Sequence, residues 1–351
     1  MENMQTNLRE HLPECKLDRS DQFKFYDKNG NNKILGAIQY SLLSDCSQKP
    51  LNTDDIPCPI LRVPMKNLSL PHDMEIWYGA AEIHYETHQD IHLAYDSEYM
   101  FGCISLTVSP DNLDKMAFNA YTQVFHCMEM LNFPSLIRIW HFVPHINGIT
   151  GDHDNYKSFS LGRARAFSEN KRYSNATDYP AATAVGIEDD KLLFYFIASR
   201  ESSPHVLENP LQVSAYNYPV QPGLMPPLFS RAVILSNETD SQLYLSGTAS
   251  ISGHKSMYSD VEKQFDTTIK NIETLIPKDD GNNNLNFSFE NMILFKIYLK
   301  YEKDYGLIMS LINDRLNLNC PVIVLVSDIC RSELLLEIEG ILHKTNENAD
   351  T

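Results

Sequence analysis

Basic residues are scarce in this chain. Twenty-nine lysines and arginines stand against 46 aspartates and glutamates over 351 residues, a formal net charge of −17. A phosphate-binding face needs clustered lysine and arginine, so no nucleic-acid partner is expected. Long apolar runs are missing too; none approaches the ~20 residues that span a bilayer, and no membrane association is expected. The opening Met1-Glu2-Asn3-Met4-Gln5 lacks the charged-then-apolar order of an export signal, which implies a cytoplasmic protein. The seven cysteines, Cys15, Cys46, Cys58, Cys103, Cys127, Cys320 and Cys330, are odd in number and include no CxxC. That disfavours a disulfide framework and a thiolate zinc site. There is no P-loop, GxGxxG or HExxH. Histidines recur four apart at His84, His88 and His92 and at His141 and His145, but Pro144 interrupts the second pair and the first set follows a predicted strand. Neither set shares a helix face, so no metal site is expected.

What is present is a regular α+β order from residue 74 onward. Before it, Asn29-Gly30-Asn31-Asn32 and Pro50, Pro57 and Pro59 mark a turn-rich stretch, read as an irregular extension over 1–73 with one strand near 33–40. Strands are then predicted at 75–81 and 100–107, a helix at 111–131, a strand at 137–143, a helix at 154–168 and strands at 181–187 and 192–198. In the first helix Leu113, Ala117, Tyr121, Val124, Met128 and Leu131 recur at helical spacing, with Ser109 as N-cap and Pro110 at the first position. The second half repeats the order: strands at 230–235 and 242–251, a helix at 260–276, a strand at 292–300, a helix at 303–316 and strands at 321–326 and 334–342. The run at 279–284 is a loop. The repetition implies two units, 74–205 and 206–345, each a mixed sheet with helices on one face.

Several segments can carry chemistry. In the last strand Leu336 and Ile338 alternate with Glu337 and Glu339. If the strand is buried, two carboxyl groups share one face, and burial plus a like charge keeps one of them protonated as a general acid. If it is an edge strand, both are simply solvated; periodicity leaves both readings open. The small residues of 246–254 (SGTASISGH) suit close approach of a ligand or backbone, or equally a bulged strand under a helix. Tyr156, Phe159, Arg163 and Phe167 fall near one side of a predicted helix, and Tyr216 and Arg231 form a second tyrosine–arginine pair. Two such pairs suit an anion with an unsaturated ring, although arginine among aromatics also snorkels to water. His126-Cys127 fits a core-facing turn as readily as a thiol nucleophile.

Taken in order, four stretches make the chain resemble the chorismatase family: YKSFSLGRARA at 156–166, QVSAYNYP at 212–219 with FSRA at 229–232, LSGTASISGH at 245–254, and DICRSELLLEIE at 328–339. KIYLK at 296–300 is a weaker fifth. The resemblance implies a YjgF-like fold with ligand sites between adjacent units, cleavage of the enolpyruvyl ether of chorismate with release of pyruvate, and no cofactor. It places the catalytic acid at Glu337. Cys330 matches a cysteine of the aromatising branch, which implies 3-hydroxybenzoate as product. Tyr156, Arg163, Tyr216 and Arg231 would hold the substrate. The chain departs from the family at Asn217, Lys255 and Lys300, where a basic residue, an acid and an arginine are usual. A diol-forming chorismate hydrolase, a non-catalytic binding protein on the same fold and an imine deaminase with a one-arginine pocket are the alternatives. The duplication lets one chain imitate part of a trimer, so a monomer suffices.

Overall fold

Seven consecutive buried residues, Ile34 to Tyr40, form the centre of an N-terminal sheet. In the computed structural model, strands β1 (Glu14–Asp18), β2 (Ile34–Tyr40), β3 (Ile60–Val63) and β4 (Met74–Tyr78) assemble in the order β1-β4-β2-β3. The described residues are 12–19, 33–42, 57–69, 71–79, 82–151, 153–170, 179–200, 204–218, 225–278 and 285–346. The turn at 29–32, the loop at 279–284 and Cys46 lie outside them. The N-terminal sheet corrects the sequence reading twice. The stretch before 74 is not simply irregular, and Met74–Tyr78 pairs with β1 and β2 instead of opening the first unit. The strands near 33–40 and 75–81 are predicted, but β1 and β3 are short and distant in sequence, so no window of useful length shows their period or the sheet they complete.

The first unit then runs β5 (His84–His88), β6 (Ile91–Tyr95), β7 (Tyr99–Thr107), α1 (Leu113–Met130), β8 (Ser135–Pro144), α2 (Asn155–Glu169), β9 (Ala181–Ile187) and β10 (Lys191–Ser199). Ser109 and Pro110 open the short 3-10 turn that leads into α1, and the Asp154 side chain caps α2 by accepting from the Lys157 N–H at 2.8 Å. The second unit runs β11 (His205–Leu207), β12 (Ala232–Ser236), β13 (Asp240–Ala249), α3 (Val261–Leu275), β14 (Met292–Leu299), α4 (Tyr305–Arg315), β15 (Val322–Val326) and β16 (Leu336–Thr345). The sheets are ordered β9-β8-β10-β7-β6-β5 and β15-β14-β16-β13-β12-β11, the second extended beyond β15 by a two-residue strand, Lys66–Asn67, from the N-terminal stretch. Apart from that addition the two arrangements are the same. Each has one parallel pair, β8 with β9 and β14 with β15, the other neighbours being antiparallel. The duplication is therefore one of topology. Sequence periodicity missed the β5–β6 hairpin, which carries His84, His88 and His92. Its outer strand is a half-exposed edge with no apolar face to detect.

Each unit packs its helices on one face. Leu113, Tyr121, Phe159 and Phe194 belong to the first helix-side core, and Phe265, Ile272, Ile338 and Leu336 to the second. The opposite faces of both sheets meet the N-terminal sheet around a shared interior that includes Tyr40, Trp77, Trp140, Tyr195, Tyr244 and Tyr298. Burying three sheet faces against one another is the main source of cohesion here.

Candidate active site

β16 lies inside its sheet, between β13 and β14. Leu336 and Ile338 pack towards the helices, while Glu337 and Glu339 enter the shared interior with 4% and 1% of their surface exposed. The buried-pair reading holds, and the solvated-edge reading does not.

The two carboxyl groups have opposite surroundings. Glu339 accepts from Arg138 Nη2 at 2.7 Å, from Trp140 Nε1 and the Tyr298 hydroxyl at 3.0 Å each, and from the Thr183 hydroxyl. Lys296 Nζ lies 3.0 Å from it. Burial works against its ionisation, but Lys296 and Arg138 outweigh burial and hold its pKa below the usual carboxylate range. Lys296 also donates to Glu75 at 2.6 Å, and Glu75 accepts further from Trp77, Tyr195 and Tyr40 at 2.9–3.0 Å. Burial would lower the Lys296 pKa, yet Glu339 and Glu75 together keep it well above its ordinary value. Two cations, Lys296 and Arg138, are thus matched by two carboxylates, Glu339 and Glu75.

Glu337 is left over. Among the described residues no hydrogen bond or ion pair reaches it. Burial first and the Glu339 charge second push its pKa up to about 8, with Arg138 and Arg231 opposing. The one hydroxyl hydrogen of Thr183 is committed to Glu339, and its oxygen accepts from Arg138 Nη2 at 2.5 Å and from the Gly247 N–H at 2.9 Å. Burial and Glu339 thus favour the neutral form of Glu337, which lines a cavity.

That cavity, about 660 Å³, opens between the units and is lined by Tyr156, Arg163, Arg231, Gly247, Cys330 and Glu337 among others. Five of the six site residues read from the sequence converge here, from α2 of the first unit and from loops and strands of the second. Gly247 sits where β13 shifts register against β16, and a Cβ there would overlap the Glu337 carboxyl. Only glycine lets the acid occupy this position. The small-residue window also allows β9 to approach, with the Ala182 N–H donating to the Ser246 hydroxyl at 2.9 Å.

Both arginines are buried, at 1% and 4% exposure. Arg163 stacks on Phe159, and its Nε and Nη2 have no partner in the described protein. Its guanidinium also faces the Tyr121 and Tyr156 hydroxyls. Arg231 donates through Nη2 to the Val213 carbonyl at 3.0 Å and the Tyr218 hydroxyl at 2.9 Å, leaving Nε unpaired. Buried unpaired guanidinium donors on a cavity wall are sites for an anion. Arg163 is braced from behind. His141 Nδ1 lies 2.6 Å from the Thr183 carbonyl and must carry hydrogen there, so Nε2 accepts from the Tyr121 hydroxyl at 2.7 Å. Burial, and then Arg163, keep that imidazole neutral by pulling its pKa well below the ordinary value.

One expectation needs adjustment. Tyr216 does not line the cavity. It packs on Tyr179, 5.6 Å between ring centroids, because the 3-10 turn Ala215–Asn217 directs it into the first unit's core. Tyr218, two residues on, lines the cavity in its place. Cys330 is no thiolate, since burial and then Glu337 push its thiol up to about 12. Lys300 donates to the Ser332 carbonyl, fastening the loop that carries Cys330 instead of facing a ligand. Cys127 is buried in α1 and structural, its thiol pushed up to about 11 by burial. Glu75, Arg138, Thr183 and Lys296 were missed as site components. Three of them, Glu75, Arg138 and Lys296, are single charges inside otherwise apolar strands, a pattern that signals paired burial.

The family described as "Chorismatase FkbO/Hyg5-like, N-terminal" matches residues 75–198. A chorismatase from Streptomyces rapamycinicus is 32% identical over 332 residues, 90% of this chain and 94% of that protein. This chain belongs to the chorismatase family. A 3-hydroxybenzoate synthase from Streptomyces hygroscopicus is 29% identical over 321 residues, 88% of this chain and 91% of its own. A chorismatase crystal structure covers 94% of this chain and 98% of its own with a TM-score of 0.83 and 26% identity. The two-unit α+β architecture is thus that of a chorismatase, and among the described residues no helix is long and apolar enough to cross a membrane.

Proposed function

We propose that this chorismatase cleaves the enolpyruvyl ether of chorismate to pyruvate and 3-hydroxybenzoate, with Glu337 as the general acid. The observation that carries the reading is a buried carboxyl group without a hydrogen-bond partner, favoured in its neutral form, on the wall of a cavity that Arg163 and Arg231 also line, each guanidinium keeping a buried donor unpaired. Chorismate carries two carboxylates, which the two guanidinium groups suit. Glu337 gives its proton to the enol methylene, leaving an oxocarbenium ion. The oxygen of the neighbouring ring hydroxyl then bonds to the ring carbon bearing the ether, that carbon's bond to the ether oxygen breaks to release pyruvate, and the hydroxyl proton restores the acid. The ring epoxide so formed opens at its other C–O bond and, as a ring hydrogen is lost as a proton and the oxygen takes one up, the ring aromatises. No water is consumed. Cys330, a neutral thiol, holds water less firmly than a hydroxyl would at that wall, which favours the internal route over hydrolysis.

All the residues invoked belong to one chain, which supports a monomer as the active species. The described cysteines are all unpaired, which fits a reducing cytoplasm. The test is incubation of the purified protein with chorismate, chromatographic separation of products, and Glu337→Gln in parallel. Pyruvate with 3-hydroxybenzoate, lost in the variant, is expected. A non-aromatic diol would keep Glu337 and overturn the role given to Cys330. No turnover by folded protein would overturn the assignment of substrate.

A further inference from the structure

The N-terminal sheet contributes nothing to the cavity wall, yet it places one carboxylate, Glu75, inside the charge cluster behind the acid. Glu75 is fully buried, as is Lys296. Their 2.6 Å pair is backed by the Tyr40 hydroxyl, which accepts from Lys296 at 2.8 Å and donates to Glu75 at 3.0 Å. Without Glu75, Lys296 would have Glu339 alone as counter-charge. Arg138 already serves Glu339, so one positive charge would be in excess at Glu339, two residues along β16 from Glu337. We propose that Glu75 is a positioning residue of the active site: by absorbing the second half of the Lys296 charge, it leaves no net cation for Glu337 and so keeps the acid protonated. This rests on Glu337 being the acid and adds a role for a sheet outside both repeated units.

The other groups around Glu337 do not supply that balance. On its own strand Glu339 favours the neutral form, while Arg138 on β8 and Arg231 before β12 favour the ionised one. On α2, Arg163 faces the tyrosines, and Tyr156 is pushed up to about 12, chiefly by burial. In the loop before β16, Cys330 is neutral, and Arg331 and Glu333 carry opposite charges on the cavity rim with His254 nearby. Bound dianion would cancel Arg163 and Arg231, leaving the buried cluster to set the acid.

The experiment compares Glu75→Gln, Lys296→Met and the double variant with the parent. Glutamine keeps the acceptor that Trp77 and Tyr195 use, and the double variant exchanges a buried ion pair for neutral groups of similar size, a change folds often tolerate. Titration of Glu337 is followed by infrared difference spectroscopy of its protonated carboxyl band, with Glu337→Gln as blank, and separately through the alkaline limb of kcat/KM. Glu75→Gln should lower the Glu337 midpoint by about one pH unit, as expected for one uncompensated charge at this remove. Lys296→Met should not lower it, and the double variant should return to within a few tenths of the parent. A folded Glu75→Gln with an unmoved midpoint, or a double variant displaced as far as the single, would overturn the proposal. Should the midpoint move as expected while the parent fails to turn over chorismate, the functional assignment falls and the electrostatic one stands.

Discussion

Keeping a carboxyl group neutral in the interior has a cost that pH should expose. Glu337 has a folded pKa of about 8 against an ordinary 4.5, because burial and Glu339 disfavour its charge. Below 4.5 the group is protonated in folded and unfolded chains alike, and it costs nothing. Between 4.5 and about 8 the unfolded chain releases the proton and the folded one keeps it. The folded state then binds more protons, so stability falls as pH rises, by 1.36 kcal/mol per pH unit for this one group. Above about 8 both are ionised and the loss levels off at about 5 kcal/mol. Glutamine is neutral throughout and close in shape. The stability of Glu337→Gln minus that of the parent should therefore be nearly flat below pH 4.5, grow between pH 5 and 8, and then plateau. Taking the difference at each pH cancels the other titrations. Chemical denaturation at half-unit intervals from pH 4 to 9 measures it directly. The inactive variant should be the more stable protein in mild alkali, and parent activity should decline above about pH 8. A stability difference that does not vary with pH would refute both the neutral acid and its burial.

Other substitutions should separate binding from proton transfer. Arg163→Lys removes a stacked fork that a point charge does not replace, and should raise KM for chorismate about 10- to 100-fold with a smaller change in kcat. Gly247→Ala places a methyl group where the Glu337 carboxyl lies, and should lower kcat at least about 100-fold with the fold intact by circular dichroism. Tyr121→Phe removes the brace between His141 and Arg163; a rise in KM of roughly 2- to 10-fold, with an unchanged pH profile, is the expected result in steady-state kinetics.

Much of the architecture could be read from the chain because its signals are local. The helices α1 and α3 carry unbroken apolar stripes, β9 is predicted at its observed bounds, and the repeated order of elements carried the duplication. What escaped were elements whose burial is decided elsewhere. β2 is predicted near 33–40 as a lone strand, while its sheet partners β1 and β3, two short strands distant in sequence, are not. In the β5–β6 hairpin the outer strand β5 is polar because its edge faces water. In the site, Tyr156, Arg163, Arg231, Cys330 and Glu337 lay in ordered motifs and converge. Tyr216 and Tyr218 lie in one Tyr-Asn-Tyr triplet, and only the 3-10 turn decides which of them faces the cavity.

The charges of the interior were individually visible and collectively unreadable. Glu75, Arg138, Lys296, Glu337 and Glu339 lie on four strands and in all three sheets. No spacing rule relates residue 75 to residue 339. Once they are brought together, Glu75 and Glu339 take up the charges of Lys296 and Arg138 through direct contacts. Burial and the Glu339 charge then favour the neutral form of Glu337, with Arg138 and Arg231 opposing. Glu75 and Glu339 each hold four or more donors, and Glu337, with none, has the open cavity before it. The proton is thus favoured on the carboxyl group that lines the cavity.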